Sequence, residues 1–239
     1  MKKTIYFIFF TAMLIASVNM HAQDRLSKSI YTYKKGDANG IGKWYMEREI
    51  AYVMGYQGIG WLERTEREEE EKTTKLLANM NISATDVIAD IGAGSGYHVF
   101  KMSQMAHKGL IYAVDIQPEM LATMAYKIAA DNIKNVETIQ GGEQSANLLE
   151  NSIDKVLMVD VYHEFNYPAE MLASIKKALK PDGKIFLIEY RGEDRSVPIK
   201  PIHKMTEQQA VKEFKAAGFV LESNIDNLPW QHCMIFTIK

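Results

Sequence analysis

A glycine-rich loop lies in the middle of the chain. Residues Asp90–Gly96 have the sequence D-I-G-A-G-S-G, with glycine at every second position from Gly92 onward. The loop directly follows the apolar run Val87–Ile91, which predicts a buried strand, and precedes a helical pattern. Glycines let a backbone turn sharply and let a ligand approach without a Cβ in the way. Asp115 ends the next predicted strand, where its carboxylate can accept hydrogen bonds from both hydroxyls of a ribose. Loop and carboxylate together predict a nucleoside-binding site.

The spacing of the glycines separates two classes of nucleotide cofactor. A dinucleotide fold uses G-x-G-x-x-G, and this chain has Tyr97 where that pattern needs its last glycine. Asp90, two residues before the first glycine, would repel a pyrophosphate and suits a cofactor that carries an ammonium group. In these features the sequence resembles the class I S-adenosylmethionine-dependent methyltransferases. Their first motif, D/E-x-G-x-G-x-G, is matched by Asp90–Gly96, and their second acidic position by Asp115.

The resemblance extends from about Val87 to the C-terminus and implies methyl transfer from S-adenosylmethionine to a small-molecule acceptor. After the third strand the family commonly carries Gly-Asp, whose acid binds the adenine amino group. This chain has Gly142 at that acidic position, followed by Glu143, so backbone contacts or Glu143 would replace it. The cofactor-binding residues implied by the resemblance are Asp90, Gly92, Ala93, Gly94, Gly96, Asp115, Ile116, Gly142, Glu143 and Asp160.

Candidate catalytic residues follow the predicted strand Ile153–Val161. Tyr162, His163 and Glu164 would lie at the carboxyl-terminal edge of the sheet, beside the cofactor. His163 is the best candidate base because the usual pKa of histidine is near neutrality. The alternative is that His163 or Glu164 caps the next helix or contacts a loop.

A second polar group follows the fifth strand. Arg191, His203 and Lys204 could line an acceptor pocket and favour an anionic or polar substrate, and the alternative is an exposed polar loop. No histidine and carboxylate pattern has the spacing of a helix-borne site such as H-E-x-x-H, so the sequence predicts no metal.

Strands and helices alternate from Asp86 onward, which predicts an α/β domain with a largely parallel sheet and helices on both faces. Proline opens helices at Pro118 and Pro168, and Thr206 with Gln209 forms a capping box. A tight turn is predicted at 181–183. The resemblance makes this a Rossmann-like, seven-stranded, mostly parallel sheet with one reversed strand. The predicted strands are Val87–Ile91, Leu110–Ile116, Asn135–Ile139, Ile153–Val161, Lys184–Glu189, Phe219–Ser223 and Cys233–Ile238.

Residues 23–80 are predicted to form an N-terminal helical arm on the methyltransferase-like domain of residues 81–239. Within it Lys43–Met54 favours one helix, and the acidic run Glu66–Glu71 favours a solvated helix face. Aromatic and cationic residues of the arm either cover the cofactor and acceptor or pack the arm onto the domain. They are Trp44, Tyr45, Arg48, Tyr52, Trp61, Arg64 and Arg67.

The first 22 residues are typical of a secretory signal. Lys2 and Lys3 precede the apolar stretch Ile5–Val18, and Ala22 ends a small-residue cleavage site. The apolar stretch is shorter than the roughly 20 residues of a spanning helix. We therefore expect an exported protein with no stable membrane insertion after signal removal. The alternative is a membrane anchor formed by the uncleaved segment.

Composition limits the classes of partner. The chain has 239 residues, and 28 Lys+Arg against 30 Asp+Glu give a net charge of −2. This balance provides no overall positive field, so no nucleic-acid partner is expected. The lone Cys233 excludes an internal disulfide.

Two rival functions stay open at the level of sequence. One is a non-catalytic module that binds S-adenosylmethionine or a nucleoside, for which the Gly142 departure leaves room. The other is an NAD(P)-dependent oxidoreductase on a related fold, which Tyr97 and Asp90 disfavour.

Overall fold

The computed structural model describes residues 30–239, and strands and helices alternate in most of the chain after residue 86. The strands are β1 (Tyr31–Tyr33), β2 (Gly40–Tyr45), β3 (Arg48–Ala51), β4 (Val87–Ile91), β5 (Leu110–Asp115), β6 (Val136–Gln140), β7 (Ile153–Val159), β8 (Leu179–Tyr190), β9 (Phe219–Asn224) and β10 (Gln231–Ile238). The α-helices are α1 (Ile59–Leu62), α2 (Arg67–Glu71), α3 (Thr73–Asn79), α4 (Val99–Met105), α5 (Pro118–Ala130), α6 (Pro168–Ala178) and α7 (Glu207–Ala216). Short 3-10 helices lie at Tyr56–Gly58, Tyr162–Glu164 and Pro201–His203.

The seven predicted strands form one sheet, in the order β6-β5-β4-β7-β8-β10-β9. The pairs from β6 to β8 are parallel, whereas β10 runs antiparallel to both β8 and β9. The Rossmann-like, mostly parallel sheet with one reversed strand is therefore confirmed. In such a sheet the carboxyl-terminal ends of the parallel strands meet along one edge, and loops at that edge carry the ligand sites.

Successive side chains of a strand point to opposite sides, so one strand can bury apolar side chains on both faces of the sheet. Both faces are buried in this structure. In β8, Ile185 and Leu187 belong to one apolar cluster, and Phe186 and Ile188 belong to another. Helices α6 and α7 cover the first cluster, and α3, α4 and α5 cover the second. Their core contacts are Leu172, Ile175 and Phe214 on the first face and Leu76, Met102 and Met124 on the second. Continuous apolar strands of this kind are typical of a sheet covered on both sides.

Helix boundaries follow the local chemistry of the sequence. Pro118 and Pro168 occupy the first turns of α5 and α6. The backbone N–H of Gln209 donates to the Thr206 hydroxyl oxygen over 3.1 Å, so the predicted cap of α7 is confirmed. Gly218 follows the end of α7 with a φ of 84°, a conformation that favours glycine.

The arm contains strands as well as helices, so the prediction of one helix over Lys43–Met54 is wrong. Strands β1, β2 and β3 form an antiparallel sheet, in which Tyr45 pairs with Arg48. The chain reverses at Met46 and Glu47, both with positive φ, 48° and 75°. Hairpin turns of this conformation normally carry glycine or asparagine, and their absence here hid the hairpin from sequence analysis.

The predicted tight turn at 181–183 is also different in the structure. Helix α6 ends at Ala178, and β8 begins at the next residue. Ile153 pairs with Leu179 and Lys155 pairs with Lys184, so residues 180–183 of β8 oppose a single residue of β7. The chain therefore forms a wide bulge within a strand, because the ends of the segment are held by pairing to β7.

The predicted signal segment 1–22 lies outside the described residues, and its cleavage and the exported location stay predictions. Between residues 30 and 239, no helix combines the length and the apolar character that a bilayer span requires.

A buried ion pair joins the arm to the domain. The Arg48 guanidinium donates from Nε and Nη2 to the two carboxylate oxygens of Glu213 on α7, over 2.7 and 2.9 Å. Tyr162 donates to the same carboxylate over 2.8 Å, and Arg48 Nη1 donates to the carbonyl of His163. The side chains of Arg48 and Glu213 are 11% and 0% exposed, so neither charge has water as an alternative partner.

Replacing Arg48 with leucine is expected to cost about 3–5 kcal/mol, because the Glu213 carboxylate would stay buried without its cation. Urea unfolding measures this loss. The matched control is Lys127→Ala, which breaks an exposed pair with Asp131 and should change stability by about 0–1 kcal/mol. Equal losses in the two variants would contradict the role given to the buried pair.

Candidate active site

A cavity of about 470 Å³ lies at the carboxyl-terminal edge of the sheet. Four strands contribute to its wall where they end: Gly92 and Gly94 after β4, Asp115 at the end of β5, Asp160 after β7 and Tyr190 at the end of β8. The cavity therefore occupies the position at which open parallel sheets bind ligands.

The glycine loop needs its glycines for two physical reasons. Gly92 and Gly94 have φ values of 77° and 55°, which side-chain-bearing residues rarely adopt. A Cβ on Gly92 would collide with the side chain of Val161, and one on Gly94 would lie 2.6 Å from Leu62 Cδ1. Gly92, Gly94, Leu62 and Val161 all line the cavity, so larger residues would fill the space of a ligand.

Two backbone N–H groups hold the side-chain carboxylate of Asp115 in place. Its Oδ2 accepts from the N–H of Gly94 and its Oδ1 from the N–H of Gln117, both over 2.9 Å. Burial raises the pKa of Asp115, and these two hydrogen bonds oppose that rise. A carboxylate can accept about four hydrogen bonds, so both oxygens keep capacity for the two hydroxyls of a ribose.

Two aspartates near the loop have buried oxygens without a hydrogen-bond partner, Oδ2 of Asp90 and Oδ1 of Asp160. The second oxygen of Asp160 accepts from Gln231 Nε2 over 2.6 Å. Burial raises the pKa of Asp90 to about 7, with Arg67 lowering it and Asp115 raising it. Burial also raises the pKa of Asp160 well above its usual value. Carboxylates in this state are stabilised by a cationic ligand, and the ammonium and sulfonium groups of S-adenosylmethionine meet that requirement.

The arm also contributes to the cavity wall, where Leu62 lies next to Gly94 of the glycine loop. Met54, Trp61, Leu62, Arg67 and Glu71 line the cavity. Trp61 and Arg67 are two of the seven arm residues that the sequence analysis considered, and both line the cavity. The other five candidates of that group, Trp44, Tyr45, Arg48, Tyr52 and Arg64, are absent from the cavity lining.

Glu71 corrects the prediction of a fully solvated acidic helix face. It is 2% exposed, whereas Glu68 and Glu69 on the same helix are exposed. Its carboxylate accepts from Arg64 Nη2 over 2.5 Å, from Arg67 Nε over 2.6 Å and from the Tyr190 hydroxyl over 2.9 Å. These hydrogen bonds attach the arm to the end of β8, and only the fold brings Tyr190 to this helix.

A cluster of two histidines and two glutamates forms one wall of the site. His163 Nδ1 lies 2.6 Å from Glu189 Oε2, and the backbone N–H of His163 donates to Glu189 Oε1 over 3.2 Å. On the other side of the ring, His163 Nε2 lies 3.1 Å from His203 Nδ1. Oε1 of Glu164 lies 3.8 Å from each of these two nitrogens and accepts from the Met54 N–H over 3.2 Å.

Burial and neighbouring charges shift the pKa values of His163 and Glu164 in opposite directions. Burial lowers the pKa of His163, but the adjacent Glu189 carboxylate outweighs burial and the net pKa is raised. Burial raises the pKa of Glu164 to about 7, and His163 opposes this shift. Burial lowers the pKa of His203 to about 4, with the positive charge of His163 contributing.

The predicted site residues divide into those that line the cavity and those that lie behind it. Catalytic candidates His163 and Glu164 line it, whereas Tyr162 is fully buried and donates to Glu213. The cofactor-binding candidates in the wall are Gly92, Gly94, Asp115, Ile116, Gly142, Glu143 and Asp160. Asp90, Ala93 and Gly96 are buried behind that wall.

The acceptor-pocket candidates divide in the same way. His203 lines the cavity, but Arg191 binds Asp226, and Lys204 donates to the carbonyls of Asp194 and Val197. Glu189 was not proposed from sequence as a site residue. One feature of the sequence could have pointed to Glu189: it is a single carboxylate directly after the buried apolar run 185–188.

Comparisons with known proteins agree with this geometry. A family model described as a methyltransferase domain matches residues 89–187. The uncharacterized methyltransferase YdaC of Bacillus subtilis is 30% identical over 140 residues, which cover 59% of this chain and 75% of YdaC. The chain belongs to the class I S-adenosylmethionine-dependent methyltransferases.

Other relatives differ in the reactions for which they are named. The ubiquinone/menaquinone biosynthesis C-methyltransferase UbiE of Wigglesworthia glossinidia brevipalpis is 30% identical over 43% of this chain and 42% of UbiE. A tRNA U34 carboxymethyltransferase of Campylobacter curvus is 28% identical over 54% of this chain and 44% of its own length. The methyltransferase thus spans less than half of these two relatives.

Solved structures share the fold. A SAM-dependent methyltransferase from Aquifex aeolicus superposes with a TM-score of 0.73 at 24% identity, over 78% of this chain and all of its own. The methyltransferase CalH, solved with S-adenosylhomocysteine, superposes with a TM-score of 0.57 at 16% identity, over 71% of this chain and 56% of CalH. The cofactor of this methyltransferase is S-adenosylmethionine, and the oxidoreductase and non-catalytic alternatives are no longer needed.

Replacing Asp90 with asparagine is expected to stabilise the apo-methyltransferase as the pH rises. An unfolded aspartate ionises near pH 4, whereas the folded carboxyl keeps its proton until about pH 7. The native protein therefore loses stability between these pH values, and the variant does not. The Tm advantage of the variant should grow from pH 5 to pH 7 and then level off, at about 2–4 °C per kcal/mol.

Calorimetric unfolding across this pH range measures the advantage, with the exposed Asp182→Asn as control. A pH-independent difference between Asp90→Asn and the native protein would contradict the assignment. The same substitution should weaken S-adenosylmethionine binding, because it removes a negative charge near the proposed ammonium position.

Proposed function

We propose that the enzyme methylates a small, largely apolar acceptor that carries an ionisable hydroxyl group. The observation that supports this most directly is His163 in the wall of the cavity that contains the glycine loop, with the buried Glu189 carboxylate 2.6 Å behind its ring. Acceptor and cofactor would share one cavity, with the polar group of the acceptor directed at His163. The cavity also has many apolar lining residues: Val53, Met54, Trp61, Ile116, Val161, Phe165, Pro198 and Ile199.

His163 is proposed as the residue that activates the acceptor. When bound, S-adenosylmethionine supplies a methyl group on a positively charged sulfur, which an oxygen nucleophile can attack. Glu189 orients the imidazole by accepting from Nδ1, which leaves Nε2 to take the hydroxyl proton. The Arg48 contact to the His163 carbonyl holds the same turn from the other side.

The cofactor end of the cavity is proposed to lie between the glycine loop, Asp115 and the arm. Asp115 would accept from the ribose hydroxyls, Asp160 would face the amino-acid part, and Asp90, buried behind the wall, would favour the ammonium group by its charge. Gly142 and Glu143 line the cavity beyond β6, where the adenine of the cofactor would lie. The Glu143 carboxylate also accepts from Asn166 Nδ2 over 3.0 Å, so part of its hydrogen-bonding capacity is already used.

A small acceptor is favoured over tRNA, although some relatives are named for tRNA modification. A net charge of −2 gives no phosphate-binding field, and many of the residues that line the cavity are apolar. The relatives named for ubiquinone/menaquinone biosynthesis, a C-methyltransferase, and for demethylmenaquinone methylation support an acceptor with an apolar ring. We therefore expect phenols and hydroquinones to be the productive members of an acceptor panel.

Replacing Gly94 with valine is expected to reduce S-adenosylmethionine affinity by at least about 100-fold with the fold intact. The positive φ alone costs about 1–3 kcal/mol for a residue with a side chain, and the added atoms enter the space next to Leu62. Titration calorimetry gives the affinity and circular dichroism checks the fold. Gly60→Ala is the control because a Cβ there meets nothing within 4 Å. Unchanged affinity in Gly94→Val would remove the loop from the cofactor site.

Replacing His163 with alanine should lower kcat by about 10²–10⁴-fold, while the Kd for S-adenosylmethionine changes only a few-fold. Formation of S-adenosylhomocysteine with a panel of phenols and hydroquinones measures kcat, and the retained Kd shows that the variant is folded. His232→Ala is the matched control, since His232 also contacts a carboxylate, Glu193, but does not line the cavity. An unchanged kcat in His163→Ala would exclude His163 from the mechanism.

A further inference from the structure

Three side chains in the cavity wall direct their donor atoms at one another. They are His163 and Glu164, in the 3-10 helix after β7, and His203, at the end of the 3-10 helix Pro201–His203. The two imidazole nitrogens are 3.1 Å apart, and the Glu164 oxygen is 3.8 Å from each. All three residues line the cavity proposed for the acceptor.

The size of this triangle matches the bond lengths of a transition metal. A point equidistant from the three donor atoms lies about 2.1 Å from each, whereas zinc bonds to histidine nitrogen and to carboxylate oxygen measure about 2.0–2.2 Å. An ion would therefore fit between the three atoms with the side chains close to their present positions. Two imidazoles with one carboxylate suit Zn²⁺, Mn²⁺, Fe²⁺ and Co²⁺ better than Mg²⁺ or Ca²⁺, which prefer oxygen ligands.

The surroundings of the triangle support a cation. Glu189 is completely buried, and its carboxylate contacts Nδ1 of His163, the nitrogen that faces away from the triangle. A carboxylate in this position is the usual partner of a metal-bound histidine, because it fixes the ring and its tautomer. Glu189 thus contacts Nδ1 of the His163 ring and Glu164 lies 3.8 Å from its Nε2, and a divalent ion at the triangle would supply positive charge to balance these two acids. The nearby Arg48 does not balance them, since it is paired with Glu213.

We propose that His163, Glu164 and His203 bind one divalent transition-metal ion, zinc in the first instance, which receives the hydroxyl oxygen of the acceptor. This inference rests on the proposed function and changes the way in which His163 takes part in it. Three protein ligands leave a zinc ion one or more positions for substrate, as in catalytic zinc sites. The sequence analysis predicted no metal because the two histidines lie forty residues apart, and only the fold brings them together.

The ion would take over the activation of the acceptor. A metal-bound hydroxyl has a much lower pKa than a free one, so its proton passes to water as the oxygen binds. That oxygen then forms a bond to the methyl carbon, the carbon–sulfur bond breaks, and its electron pair stays on sulfur. The products are the methylated acceptor and S-adenosylhomocysteine, with His163 acting as a metal ligand in place of a base.

The test uses the full chain, stripped with a chelator and titrated with Co²⁺ and Zn²⁺. We expect one equivalent of Co²⁺ to give visible d–d bands of a low-coordinate nitrogen and oxygen site. We expect calorimetry with Zn²⁺ to give a Kd that rises by at least about 100-fold in His203→Gln and about 10–100-fold in Glu189→Gln. His203 is the better ligand to replace because it is partly exposed. His232→Gln is the matched control and should keep both the bands and the Zn²⁺ affinity.

Absence of the cobalt bands, or bands that persist unchanged in His203→Gln, would overturn the metal site. In that case the contact between the two histidines is a hydrogen bond, and His163 acts as the base of the proposed function. Titration of the same metal-free protein with S-adenosylmethionine separates the two proposals. Cofactor binding without metal binding overturns only the metal site, whereas loss of cofactor binding in the metal-free native chain overturns the proposed cofactor site.

Discussion

Burial of carboxylates at the carboxyl-terminal edge of the sheet is the constraint on which the site depends. Glu71, Asp90, Asp115 and Glu189 are at most 6% exposed, and each would be costly to ionise without hydrogen bonds or a cation. The arm supplies two arginines to Glu71, and backbone N–H groups serve Asp115. The remaining carboxylates are Asp90, for which the proposed function supplies a cationic cofactor, and Glu189, which contacts the imidazole of His163.

The sheet makes this burial possible because its strands carry apolar side chains on both faces. Residues 185–188 of β8 alternate between the two apolar clusters, and the same strand ends in Glu189 and Tyr190. A packed strand of this kind has little freedom to move, so the polar residues at its end are held in fixed positions. The arm closes the site from above through the Arg48–Glu213 ion pair and the Glu71–Tyr190 hydrogen bond. Cofactor site, acceptor wall and arm are therefore coupled through shared buried charges.

The places where sequence analysis failed share a physical cause. Local periodicity predicted β4 with the correct bounds and α5 with the correct first residue, because burial of an apolar face repeats along the sequence. The hairpin of β2 and β3 was missed because Met46 and Glu47 adopt positive φ without glycine or asparagine. Glu71 was expected in solvent because nothing within the acidic run distinguishes it from its neighbours. Its partner Tyr190 lies 119 residues away and comes close only when β8 and the arm pack together.

The sequence by itself determined the α/β class, the order of the strands from β4 to β10 and the nucleoside-binding character of the site. Those properties depend on local patterns: glycines at every second position, an acid at the end of the next strand and apolar runs of strand length. Tertiary structure alone decided which polar residues meet around the cavity. It placed Glu189 behind His163 and brought His203 within 3.1 Å of the same ring, because separate strands end at one edge and their loops converge there.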